Sequence, residues 1–298
     1  MAADLQNSVL VYDVGGSHVS AAVCLSGAYR LGTVVSALHS ASETSDDFID
    51  LLYNLGVKAS SGGNGLCGAE LAVPGPFDFA AGISRMRHKL PYLYGIDLRS
   101  RLAERFGWQP NRVRFLLDSA AFLLGEIGAG EARGVPRAVG ITLGTGIGSA
   151  FAIDGRVVTE GQGVPPGGEI WNLSYEGGIV EDFLSTRAIQ RSYKLRTGAL
   201  PNVAKIAADV ANDLDAAAVF AEFGHHLGVA LRMKLSEFAP DVVVIGGGIS
   251  RSAHLFLPAA MKELAELKMQ LRVSRLLDHA ALAGAGVAWF DEAKSRAA

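Results

Sequence analysis

Val9-Leu10-Val11-Tyr12-Asp13-Val14-Gly15-Gly16-Ser17 and Val139-Gly140-Ile141-Thr142-Leu143-Gly144-Thr145-Gly146-Ile147-Gly148 share one pattern, a β-branched run that ends in a glycine-rich turn. A second extended segment follows each turn. After the first come alternating Val19, Ala21, Val23 and Leu25; after the second come Ala150-Phe151-Ala152-Ile153 and the hairpin dipeptide Asp154-Gly155. A dinucleotide fold or a P-loop requires strand, glycine turn, then helix, and neither turn has that order. The pattern predicts two β-hairpins whose tips expose backbone N–H groups. Two such tips facing each other would grip a triphosphate from both sides. A phosphoryl-transfer protein of two related halves is the implied class.

Composition narrows the alternatives. A chain of 298 residues with 49% hydrophobic side chains can bury large cores and exceeds the usual size of one domain. A formal charge of −3 gives no general attraction for nucleic acid or an anionic membrane, and neither is expected as a partner. Cys24 and Cys67 are too few for a disulfide framework and too isolated for a zinc ribbon. They read as small buried hydrophobes in a reducing cytoplasm. No apolar run reaches about 18 residues, and Asp4 stands where a leader would carry basic charge, so neither secretion nor membrane spanning is expected.

Periodicity predicts strands near 9–14, 19–25, 31–38, 68–73, 112–117, 139–143, 149–153, 156–159, 241–246 and 271–274. Helices are predicted near 45–55, 97–106, 119–129, 181–196, 203–211, 213–238, 252–267 and 282–295. Strands precede helices in each half. The seam is expected where the strand ending at Leu117 enters the helix after Asp118, and the Ala/Gly-rich last helix is expected to fold back onto the first half. The expected domains are therefore a smaller one, 1–118 plus 282–298, and a larger one, 119–281.

Single motifs leave alternatives open. Asp13-x-Gly15-Gly16 also suits an ordinary tight turn. The glycines 144, 146 and 148 cost backbone entropy that close approach of something bulky would justify. Gly246-Gly247-Gly248 follows the apolar strand Val242-Val243-Val244-Ile245, where a strand-end turn can admit a nucleotide base or serve as a plain strand-to-helix turn. Asp118, at a strand end and a helix start, suits a fixed catalytic base or an N-cap.

The order of these segments resembles the ROK family of sugar kinases, within the actin/hexokinase/Hsp70 superfamily, over nearly the whole chain. Val11 to Val23 is similar to its first phosphate segment, and Val73-Pro74-Gly75-Pro76 to its Val-Pro-Gly-Pro loop. Leu117-Asp118-Ser119-Ala120 with Gly125-Glu126 resembles Asn-Asp-Ala-Asn…Gly-Glu, and Gly140 to Gly148 the second phosphate segment. Gly168-Glu169-Ile170 is similar to Gly-Glu-Ile-Gly-His, Gly178-Ile179-Val180-Glu181 to Gly-Cys-Leu-Glu, and Gly246 to Ile249 to the adenosine segment.

The resemblance implies an α/β, actin-like ATPase (ribonuclease H-like) duplicated fold with an interdomain cleft. It implies transfer of a phosphoryl group from ATP to a sugar hydroxyl, with Asp118 as base and Asp13 holding Mg2+ through water. Gly15, Gly16, Ser17, Gly144, Thr145, Gly146 and Gly148 would cradle phosphates, and Gly246, Gly247 and Gly248 the adenosine. Gly75, Lys89, Leu117, Glu169, Asn172 and Glu181 would line the acceptor site. Glu169 and Glu181 have alternatives, a turn carboxylate and the N-terminal charge of the 181–196 helix. A small-molecule sugar and a second copy of the chain are the expected partners. A non-catalytic sugar sensor is the alternative reading, although a first strand by Val9 leaves no room for the N-terminal helix-turn-helix of the family's repressors.

Departures from the family pattern shape the substrate expectation. Trp171-Asn172-Leu173-Ser174-Tyr175-Glu176-Gly177 carries no cysteine and no histidine where zinc-bearing members have their cluster, so no zinc site is expected. Two amides of Asn-Asp-Ala-Asn become Leu117 and Ala120, and the family's Asn-Leu-Pro becomes Lys89-Leu90-Pro91. Lost hydrogen-bond partners weaken binding of a neutral polyol, so plain glucose is not the expected acceptor. Arg85-Met86-Arg87-His88-Lys89 adds positive charge that suits a solvated face or an anionic acceptor. His225-His226 reads as helix-packing or surface histidine, and Trp171 as loop packing.

Overall fold

The computed structural model describes residues 8–27, 29–40, 44–61, 65–87 and 89–297, with side chains to Asp291. Asp4 and His88 lie outside these residues. The chain divides into two compact units, Met1–Gly130 with Asp278–Ala298, and Glu131–Leu277. The first unit begins with β1 (Ser8–Val14), β2 (His18–Leu25), β3 (Arg30–Leu31), β4 (Val35–Leu38) and α1 (Ser45–Ala59). It continues through β5 (Ala69–Val73), β6 (Phe77–Asp78), β7 (Ile83–Ser84), α2 (Leu98–Phe106), β8 (Val113–Leu117) and α3 (Asp118–Ala129). The second unit holds β9 (Arg137–Leu143), β10 (Ile147–Ile153), β11 (Arg156–Val158), β12 (Ser174–Tyr175) and β13 (Gly178–Ile179). Next come α4 (Thr186–Thr197), α5 (Val203–Asp209), α6 (Leu214–Leu235), β14 (Val242–Gly246), α7 (Ala253–Glu263) and β15 (Gln270–Val273). The chain then returns to the first unit as α8 (Ala280–Ala297).

The two main sheets repeat one topology. Their strand orders are β3-β2-β1-β5-β8, with β4 also on β2, and β11-β10-β9-β14-β15. In each, an antiparallel hairpin is followed by two parallel strands: β1 pairs β2 antiparallel and β5 parallel, while β9 pairs β10 antiparallel and β14 parallel. Hence the two glycine turns are equivalent hairpin tips.

The apolar runs have no polar face because both faces of the sheet are covered. Leu10 and Tyr12 of β1 pack with Phe48 and Leu52 of α1, and Val9 and Val11 with Leu282 and Trp289 of α8. Tyr12 donates its buried hydroxyl to the Leu52 carbonyl at 3.0 Å, so the one polar atom there is satisfied. Cys24 is buried against α8, as a small hydrophobe, and Cys67 is half-buried against the same cluster, with no disulfide between them.

Three expectations are corrected. The units break after Gly130 and before Asp278 and are near-equal in length, so the seam is not at Leu117–Asp118 and the larger-and-smaller division does not hold. The reason is that α3 packs on α8: a β carbon at Gly284 would strike the Ala121 carbonyl, and one at Gly125 the Ala280 carbonyl. The predicted strand 31–38 is split into β3 and β4. The predicted helix 181–196 begins at Thr186, because the Ser185 hydroxyl caps it by accepting the Ala188 N–H at 3.3 Å.

Backbone contact at Gly284 leaves no space for a side chain. Gly284→Val should therefore destabilise the protein by about 1–3 kcal/mol, the usual cost of overpacking. Chemical denaturation should show this as a lower midpoint at unchanged slope, and an unchanged midpoint would contradict the close α3–α8 contact.

Candidate active site

The first unit gathers its candidate residues at the C-terminal edge of neighbouring parallel strands, the place where open α/β sheets bind ligands. Asp13 pairs with Ala72 of β5, and Val73 pairs with Leu117 of β8. Asp13, the Gly75 loop and Leu117–Asp118 thus leave the sheet side by side. Asp118 is the first residue of α3, and the N-cap position belongs to Leu117, so the capping alternative for Asp118 does not hold. Its Oδ1 accepts the Ser119 N–H at 2.7 Å, which orients the carboxylate at the positive end of α3.

Asp13 has a carboxyl pushed up to about 7, first by burial and then by the charges of Asp118 and Asp278. Asp278 was not anticipated. It sits in the short 3-10 turn Leu277–His279 before α8, with no surrounding motif, and only the return of α8 to β1 brings it close. The hairpin tip itself is tight, with the Gly15 N–H donating to the His18 carbonyl at 2.9 Å and Gly16 and Ser17 exposed. A β carbon at Gly16 would meet nothing within 4 Å, so nothing in the protein demands glycine there. That is space a ligand can fill.

The Val-Pro-Gly-Pro loop contains a cis Gly75–Pro76 bond. In the basic run, Arg85 lies 3.7 Å from Asp78, and Arg87 donates to the Tyr94 hydroxyl at 2.6 Å while stacking on its ring. Lys89 is exposed beside Leu90, which is buried and anchors the loop.

In the second unit the tip Gly144-Thr145-Gly146 is closed by a Gly144 N–H bond to the Gly146 carbonyl at 2.9 Å. Thr186, in the first turn of α4, gives both its N–H (2.8 Å) and its hydroxyl (2.9 Å) to the Gly144 carbonyl. A β carbon at Gly144 would be in open space, but one at Gly146 would strike the Glu181 carboxylate. The bulky neighbour at Gly146 is therefore the chain's own Glu181, which also accepts the Ile147 N–H at 3.3 Å. Gly148 lies within β10. Gly247 has φ +81° and lies against the Leu143 backbone, so it needs glycine on both counts and locks the Gly246–Gly248 turn to the base of the second hairpin.

Glu169 and Glu181 come together through Trp171. The Glu181 N–H donates to the Trp171 carbonyl at 3.0 Å, and the indole Nε1–H to Glu169 at 3.1 Å. Trp171 is exposed, so it pins a carboxylate rather than filling a core, and Asn172 beside it is exposed too. Glu181 lies in the 3-10 turn Val180–Asp182 ahead of α4, which removes its alternative as that helix's N-terminal charge. The segment is anchored by fully buried Ile170 and Val180, and by the Ser149 hydroxyl, which donates to the Gly168 carbonyl (2.7 Å) and accepts the Ile170 N–H (3.0 Å). Among the described residues no group of three or more His, Cys, Asp or Glu is placed to hold a metal ion.

The same segment packs on α6 through Tyr175, whose hydroxyl lies 2.9 Å from His226 Nδ1, and Phe183, whose ring centroid is 4.8 Å from that imidazole. His226 is a helix-packing residue, and His225 is exposed with Glu263 at 3.0 Å. A cavity of about 270 Å³ beside them is lined by Phe183, Ser192, Arg196 and Glu222, whose polar groups bond to one another.

The ROK family model matches residues 9–292. The chain belongs to the ROK family. It is 30% identical over 245 residues to a glucokinase of Thermotoga maritima, covering 71% of this chain and 75% of that one. It is 25% identical over 298 residues to an N-acetyl-D-glucosamine kinase of Yersinia enterocolitica, covering 89% and 91%. The structure of a ROK glucokinase from Streptomyces griseus, in complex with glucose and AMPPNP, superposes with a TM-score of 0.77 at 22% identity, covering 94% and 98%. The chain is thus an ATP-dependent sugar kinase of the ROK family with the actin-like ATPase fold. Among its described residues no helix is long and apolar enough to cross a membrane.

Burial holds His226 below the ordinary histidine range; His225 adds to this, while Glu222 and Glu176 oppose it. The unfolded chain then binds that proton more readily than the folded one, so stability rises with pH through this window and falls on acidification below the unfolded value. His226→Asn keeps an acceptor near Nδ1 and cannot titrate. Its melting temperature should fall less than the native protein's between pH 7 and pH 5, and parallel falls would contradict the assignment.

Proposed function

We propose that Asp118 takes the proton from the acceptor hydroxyl of a sugar as that oxygen bonds to the γ-phosphorus of ATP. The bond to the β–γ bridging oxygen breaks, leaving a sugar phosphate and ADP. The observation that carries this is the place of Asp118. It stands at the end of β8 and the start of α3, held by the Ser119 N–H, beside Asp13. A base so fixed is already oriented when the hydroxyl arrives.

The open positions at Gly16, Gly144 and Gly248 support nucleotide binding, since a β carbon at each would meet only empty space. The tip N–H groups of Gly16 and Ser17, and of Thr145 and Gly146, would face phosphate oxygens, while Gly15 and Gly144 close the two tips through their own N–H bonds. The turn Gly246–Gly248 would take the adenosine. The Asp13 carboxyl is raised first by burial and then by the charges of Asp118 and Asp278, which a cation would offset, and a few carboxylate oxygens suit Mg2+, which keeps most of its waters. Asp13 would hold it through water, and the bound ion would neutralise phosphate charge. Glu169 and Glu181 accept hydrogen bonds from sugar hydroxyls, with Asn172, Gly75, Leu117 and Lys89 lining the acceptor. This chemistry suits the cytoplasm, where ATP is available.

The acceptor we infer is a modified or acidic sugar rather than plain glucose. Leu117 offers no hydrogen bond, and Lys89 is an exposed cation on an anchored loop. The N-acetylglucosamine kinase among the relatives supports an acceptor with a substituent in place of a hydroxyl.

Asp118→Asn retains shape and loses basicity, so kcat should fall by about 10²-fold or more while the calorimetric affinity for Mg-ATP stays unchanged. Retained turnover would remove Asp118 from the role. On a panel of glucose, amino, N-acetylated and acidic sugars, glucose should have the lower kcat/KM, and Lys89→Asn should narrow the gap. Equal turnover of glucose would refute the acceptor assignment.

A further inference from the structure

The imidazole of His39 joins the first phosphate turn to the acceptor loop. His39 follows β4 and is only 8% exposed. Its backbone N–H donates to the Ser17 carbonyl at 3.0 Å, placing it against the tip of the β1–β2 hairpin. Nε2 lies 3.0 Å from the Gly15 carbonyl oxygen, and Nδ1 lies 3.2 Å from the Tyr92 hydroxyl. A carbonyl only accepts, so Nε2 carries the proton; in the neutral ring Nδ1 then accepts from Tyr92. Both nitrogens are used, and each bond selects the tautomer that the other needs.

Tyr92 sits three residues after Lys89, in the 3-10 turn Pro91–Leu93, whose flanking Leu90 and Leu93 are each 1% exposed. Phe48 of α1 meets both rings edge-on, 5.5 Å from His39 and 5.9 Å from Tyr92. The Phe48 ring thus occupies the space beside both rings on that side. A shift of the Lys89–Tyr92 loop is passed to the Gly15 carbonyl, whose peptide plane sets the direction of the Gly16 N–H.

We propose that His39 is a positioning residue that couples acceptor-loop geometry to phosphate binding, with Tyr92 as the other half of the coupling. This rests on the reading of Gly15–Ser17 as a phosphate turn. Coupling of this kind is reciprocal: whatever orders the acceptor loop tightens nucleotide binding, and the nucleotide tightens the loop.

The test uses the full chain with Mg-AMPPNP as probe, titrated by calorimetry, and ring 15N shifts of His39. Tyr92→Phe removes one hydroxyl from a loop not assigned to the nucleotide. It should nevertheless weaken AMPPNP roughly 3- to 10-fold, the effect of one hydrogen bond, and shift the Nδ1 resonance of His39, which loses its donor while Nε2 keeps its proton on the Gly15 carbonyl. His39→Leu should weaken AMPPNP at least as much, and adding Tyr92→Phe to it should do nothing more. The conservative Tyr92 variant keeps the test decisive if His39→Leu fails to fold. Native affinity and an unshifted Nδ1 resonance in Tyr92→Phe, or additive effects, overturn the coupling. Gly16→Val separates the two failures, because a β carbon there meets no protein atom within 4 Å. If Gly16→Val weakens AMPPNP and Tyr92→Phe does not, the coupling alone is wrong. If Gly16→Val leaves affinity intact, the phosphate-turn reading falls and the coupling with it.

Discussion

The approach of α8 to α3 places the chemistry of the first unit. Glycines at 125 and 284 let the two helices meet through their backbones, and Gly286 lets α8 close on Cys24 of β2. Asp118 opens one of these helices and Asp278 lies just before the other, so their separation is set by main-chain contact rather than by flexible side chains. Asp13 enters from the strand beneath both. Burial raises the Asp13 carboxyl first, and the charges of Asp118 and Asp278 add to that rise. A fold tolerates that where a proton or a cation is meant to be exchanged.

The second unit uses small residues in the same way for a different purpose. Gly224 and Gly228 of α6 lie against the Phe256 and Ala260 carbonyls of α7, which packs the helices tightly. Gly247 lies under Leu143, which ties the turn after β14 to the hairpin tip after β9. Because β14 is buried along its whole length, it carries this contact on a rigid support. The glycines of this chain thus fall into two groups. Some are required by neighbouring backbone, and others, such as Gly16 and Gly144, are required by nothing in the protein.

The main strands and helices were legible because their apolar runs and alternation report burial directly: Val242–Ile245 can only be a covered strand, and Val19 to Leu25 a hairpin arm. The two-residue pairs β6–β7 and β12–β13 have no period to read and exist through tertiary contacts. The start of α4 was misplaced because Glu181 looks like a first-turn acid, whereas the Ser185 cap sets the boundary. The seam was misplaced because local sequence does not show that α3 belongs with a helix about 160 residues further along. Asp118 and the glycine turns were legible as motifs. Asp278 and His39 were not, since each matters only through partners distant in sequence.

These differences in support bear on how the enzyme can change. Asp118 is held by a helix start on a sheet edge, so its position is coupled to the stability of the whole first unit. Glu169 and Glu181 sit on a segment with little regular structure, fastened by Ile170, Val180, the Ser149 hydroxyl and the Tyr175–His226 pair. Each such hydrogen bond contributes about 1 kcal/mol, so one can be exchanged without unfolding the unit. The phosphoryl-transfer geometry and the acceptor geometry therefore rest on supports of different stiffness. On the proposed roles, substrate preference can shift through the segment around Trp171 and the loop at Lys89 while Asp118 stays where it is. That fits a chain whose glycine turns and Asp118, the base we propose, follow the ROK pattern closely, while Lys89, Leu117 and Asn172, the positions we propose for the acceptor, do not.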